Sequence, residues 1–91
     1  MENVLHNVIA LEADLMKESN YWLGRDHLMS EGYAADRNDV IEARNLYRQG
    51  ETEMLVGHLD HMDTCVRERT VMAFAADNGK DWVRNTLGWN V

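Results

Sequence analysis

The stretch His58-Leu59-Asp60-His61-Met62-Asp63-Thr64-Cys65 gathers the side chains best suited to chemistry in this chain. On a helix, residues three and four apart share a face, so His58, His61 and Cys65 would align and Glu68 would extend the row by a turn. Imidazole and thiolate suit zinc or another transition metal, and a carboxylate can complete the coordination. His61 and Cys65 have the best spacing for joint ligation. The stretch lacks paired Cys-x-x-Cys knuckles, the His-Glu-x-x-His zinc motif and the Glu-x-x-His repeats of di-iron bundles. The leading expectation is therefore the plainer one: two histidines at the polar margin of a packed helix, Cys65 as a small apolar residue, and no cofactor. A nucleophilic Cys65–His61 pair is disfavoured, because a helix interior neither exposes a thiol nor lowers its pKa.

Two other motifs fail on count. Asp36-Arg37-Asn38-Asp39 opens like a calcium loop, but the sixth position is Ile41 where glycine is needed and the twelfth is Tyr47 in place of glutamate. The six glycines, at 24, 32, 50, 57, 79 and 88, are too far apart for a phosphate-cradling loop.

The elements that must position these residues read as helices. The chain of 91 residues contains no proline, so the strongest helix breaker is absent. Val4, Leu5, Val8, Leu11, Leu15, Trp22 and Leu23, joined by Ile9 and Met16, predict a helix over about 2–23. It can run on to about 30, with Gly32 as its stop. Asp39 with Glu42 predicts a cap and a short helix over 39–49 with Val40, Ala43 and Tyr47 inward. Thr52 would cap a long helix over 52–77, carrying Leu55, Leu59, Met62, Val66 and Ala73, with Met72, Phe74 and Ala76 widening the stripe. A last short helix over 82–87 carries Trp82, Val83 and Leu87. No segment alternates as a strand would. The expected fold is all-α: a small helical bundle of two long and two short helices, forming a single domain over 1–91.

Composition narrows the function classes. Sixteen carboxylates against nine Lys and Arg give a net charge of −7, with the cations scattered, which argues against nucleic-acid partners. The start lacks a secretory pattern, no run approaches the ~20 apolar residues of a membrane span, and the lone Cys65 suits a reducing compartment, so a cytoplasmic location is expected. One cysteine excludes an intrachain disulfide. A domain this small buries only about 60–65% of its unfolded surface, and association is one remedy. Val8, Leu11, Leu15, Leu59, Met62 and Val66 are the candidates for a shared apolar surface. Trp82 and Trp89 are expected to tie the C-terminal tail down. The expected function is a non-enzymatic helical protein–protein interaction module acting as a homodimer. The alternative is a metal-binding helical protein using His58, His61 and Cys65, with Glu68.

Overall fold

The computed structural model describes residues 4–91. The described chain is all-helical, with α1 (His6–Trp22), α2 (His27–Arg48), α3 (Thr52–His61), α4 (Thr64–Asn78) and α5 (Lys80–Trp82), which continues as a wider π-helical turn over Val83–Leu87. The expected helix start at Glu2 lies outside the described residues; Val4 and Leu5 precede α1.

Helices α1 and α2 form an antiparallel hairpin, and at ~1.5 Å per residue they are about 25 and 33 Å long. The helix does not continue through Gly24. Leu23 turns extended, Gly24 takes φ +83°, and the Asp26 carboxylate accepts a hydrogen bond from the Met29 N–H at 3.2 Å to start α2. A left-handed glycine followed by an Asp cap makes a sharp αα corner. Gly32 and Asp39 are consequently interior to α2, neither a stop nor a cap, and the expected short helix over 39–49 is the last half of a 22-residue one.

The expected long helix over 52–77 is two helices. Met62 (φ −74°, ψ 151°) and Asp63 (φ −60°, ψ 145°) are both extended and break it. The break lets α3 lie on α2 while α4 lies on α1. The two long helices are thus α1 and α2.

The core joins Leu5, Val8, Leu11 and Leu15 to Val40, Ala43 and Leu46, and closes on Leu55, Leu59, Met62, Val66, Val71, Phe74, Val83 and Leu87. All six residues nominated for a shared surface, Val8, Leu11, Leu15, Leu59, Met62 and Val66, are buried within the one chain. Val4, Ile9, Met16, Leu23 and Met72, by contrast, are exposed.

Helix α1 receives its cap from the far end of the sequence. Leu5, at its N-cap position, offers no capping side chain and sits at φ 59°, a conformation costly for a branched residue. The Asp77 carboxylate at the end of α4 instead accepts from the N–H groups of Asn7 (2.7 Å) and Val8 (3.0 Å). Asp77→Ala leaves these donors unpaired and should lower stability by about 1–2 kcal/mol, measured as a urea midpoint shift at constant slope.

Candidate functional site

The helix break separates the residues that the sequence aligned. His58 and His61 belong to α3, whereas Cys65 and Glu68 belong to α4, so no single helix face carries all four. His58 Nε2 donates to the backbone carbonyl of Asp39 at 2.7 Å, pinning α3 to α2. His61 Nδ1 donates to the Gly57 carbonyl one turn back at 2.8 Å. A carbonyl only accepts, so each bond fixes a ring tautomer and removes that nitrogen as a ligand. Among the described residues, no group of three or more His, Cys, Asp and Glu side chains is arranged to hold a metal ion.

Cys65 is exposed and lies elsewhere, in a groove with Leu28, Met29, Gly32, Tyr33 and Asp36 of α2. Glu68 lines a separate cleft under the C-terminal tail with Val71, Met72, Trp89, Asn90 and Val91. The tail itself is held: the Arg67 guanidinium sits 5.2 Å from the Trp89 ring centroid, and Arg84 Nε donates to the Val91 carbonyl at 3.0 Å. Trp82 packs against Tyr47 and Phe74. Both tryptophans therefore tie the end of the chain down.

Sequence reasoning missed the free end of the α1–α2 hairpin. Between Leu15 and Val40 the one buried residue is Ser30, whose hydroxyl donates to the Ser19 carbonyl while the Ser19 hydroxyl donates to that of Ser30, at 2.9 and 2.8 Å. These small residues let the two helices approach closely. Outside that crossing, Tyr21, Leu23 and Leu28 are 57%, 66% and 78% exposed, and Met29 is also exposed. The signal in the sequence was the pair Gly24 and Asp26, a stop and a start two residues apart, which places these apolar residues at a corner.

Beside the groove, Asp36 has an altered titration. Partial burial, then the neighbouring carboxylates of Asp63, Asp39 and Glu18, push its carboxyl above the ordinary value, and Arg69 pulls the other way. A carboxyl whose pKa is higher folded than unfolded favours the native state below the unfolded value, and that contribution is lost as pH rises through the folded one. Asp36→Asn should therefore raise the melting temperature at pH ~7, and the gain should vanish below the ordinary aspartate range near pH ~3.9. Thermal melts of both proteins across pH check this.

Compared with protein-family models, curated proteins and solved structures, the chain matches none. No helix among the described residues is long and apolar enough to cross a membrane.

Proposed function

We propose that the protein is a non-enzymatic helical interaction module that works as a homodimer, with the α1–α2 corner as its contact surface. The observation that supports this reading is the exposure of Tyr21, Leu23, Leu28 and Met29 together at one corner, beside the groove lined by Tyr33 and Cys65. Several exposed large apolar side chains close together in sequence on a small protein are a liability unless something covers them. Residues 20–30 carry one arginine and one aspartate, so these four apolar side chains stand in a segment without net charge from Asp, Glu, Lys and Arg, next to the Asp36 carboxylate of the groove. Two-fold pairing would reuse the same patch and bring the free ends of two hairpins together.

Sedimentation equilibrium should give a mass near twice 10.5 kDa and a melting temperature that rises with protein concentration. Leu23→Asp with Leu28→Asp should yield monomer without loss of helicity, since neither side chain is in the core. A wild-type protein monomeric at high micromolar concentration, with concentration-independent melting, would refute the dimer.

A further inference from the structure

Six of the seven arginines are engaged. Arg44 and Arg69 form two-pronged pairs with Glu12 and Glu18, and Arg84 pairs with Asp81. Arg25 donates to the Tyr21 carbonyl, Arg67 lies over Trp89, and Arg48 also has a partner. Arg37, in the middle of α2, has no hydrogen bond, ion pair or ring contact among the described residues, and its Nε is buried without an acceptor. Arg67 Nε is likewise buried without an acceptor, but its terminal nitrogen reaches the Asp60 and Met62 carbonyls at 3.5 Å, so Arg37 is the arginine with none of its N–H groups engaged among the described residues.

The same side chain lines a cavity of about 210 Å³ between α1 and α2, together with Met16, Ser19, Asn20, Ala34 and Asn38. Among the described residues, no carboxylate lines it. The Ser19 hydroxyl is committed to Ser30, which leaves the carboxamides of Asn20 and Asn38 as further donors. Met16 and Ala34 add apolar wall. In a chain of net charge −7, this is a local reversal: one cation, two amide donors and no competing anion on the lining. Guanidinium presents its N–H groups as a planar fork that matches carboxylate and phosphate oxygens.

We propose that this cavity binds a small oxyanion, a carboxylate or phosphoryl group, on the Arg37 fork, with Asn20 and Asn38 donating from the sides. The cavity is smaller than the ~300–1,000 Å³ of drug-sized sites, so the ligand is a small acid and not a nucleotide. This site does not rest on the dimer, because none of its lining residues is one of the four apolar side chains of the corner.

The test is a 1H–15N titration of the full chain with sodium acetate and, separately, with inorganic phosphate, each against sodium chloride at equal ionic strength. Saturable shifts of the Arg37 Nε–H and of the Asn20 and Asn38 side-chain amides are expected, with a Kd on the order of 1 mM. A stronger response to acetate assigns a carboxylate ligand, and a stronger response to phosphate assigns a phosphoryl group. Arg37→Gln should weaken binding by at least about tenfold, and Arg37→Lys, which keeps the charge and loses the fork, should also weaken it. Arg25→Gln should leave it unchanged. Because Arg37 is half-buried at the surface, its variants should keep the wild-type circular dichroism. Linear drift without saturation, equal shifts at the other arginines, or unchanged binding by Arg37→Gln would overturn the proposal.

Discussion

Phe74→Ala should be the most damaging single substitution in this protein, lowering stability by about 3–5 kcal/mol. Phe74 is fully buried on α4, and its ring lies 5.7 Å from that of Tyr47 on α2 and 5.9 Å from that of Trp82 on α5. Tyr47 and Trp82 also meet edge-on at 5.6 Å. Three elements therefore share one aromatic cluster, and removing the central ring leaves a cavity that rigid helices cannot collapse to fill. A chain of 91 residues has a total stability of roughly 5–14 kcal/mol. The loss should lower the melting temperature by about 12–40 °C, on a scale of ~4–8 °C per kcal/mol for a domain of this size. Phe74→Leu, which keeps most of the volume, should lose much less. Urea unfolding followed by circular dichroism measures both, and a loss below about 1 kcal/mol for the alanine variant would contradict the cluster's role.

Glu12→Ala should be next, at about 2–4 kcal/mol, because it leaves a partly buried guanidinium without its counter-ion. Arg44 donates to Glu12 through Nε at 2.6 Å and through a terminal nitrogen at 3.2 Å, with side chains only 20% and 9% exposed. The hydrogen bond to Glu12 also holds the Arg44 pKa above its ordinary value, against the opposing effect of burial. The pair joins α1 to α2 beside the core. Most of the loss in the single variant comes from the orphaned charge and not from the net worth of the pair, since both ions gave up water to form it. Replacing both together, Glu12→Leu with Arg44→Met, should therefore recover most of the stability. A double variant as unstable as the single one would show that the charges themselves supply the attraction. The more exposed Glu18–Arg69 pair, with both bonds at 3.2 Å, should cost well under half as much to remove.

The candidate site was only partly legible in sequence. The row His58, His61, Cys65, Glu68 was a correct count on an assumed continuous helix. The break at Met62–Asp63 leaves no mark on the apolar spacing, because Met62 is buried on either side of the question and Leu59, Met62 and Val66 keep steps of three and four across it. Periodicity reports which residues face the core. It is blind to a change of axis that keeps them there. Asp63 and Thr64, both better at helix starts than in helix interiors, were the available hint.

Sequence alone determined the helical class, since the absence of proline, the 3.6-residue apolar stripes and the glycine punctuation all point the same way. It also determined most of the core: Val8, Leu11, Leu15, Val40, Ala43, Leu55, Leu59, Val66, Phe74, Val83 and Leu87 are buried as their spacing requires. Tertiary structure decided where the helices end and what their ends do. The Asp77 cap on α1 joins residues 70 apart, and no local pattern encodes it. The pairing of Glu12 with Arg44 and the isolation of Arg37, seven residues before Arg44 and two turns along the same helix, depend on which α1 residues stand opposite each one. The physical reason is one of range. Helix formation and burial preference are set within a few residues of each position, whereas caps, ion pairs and cavities depend on which side chains the packed helices bring face to face.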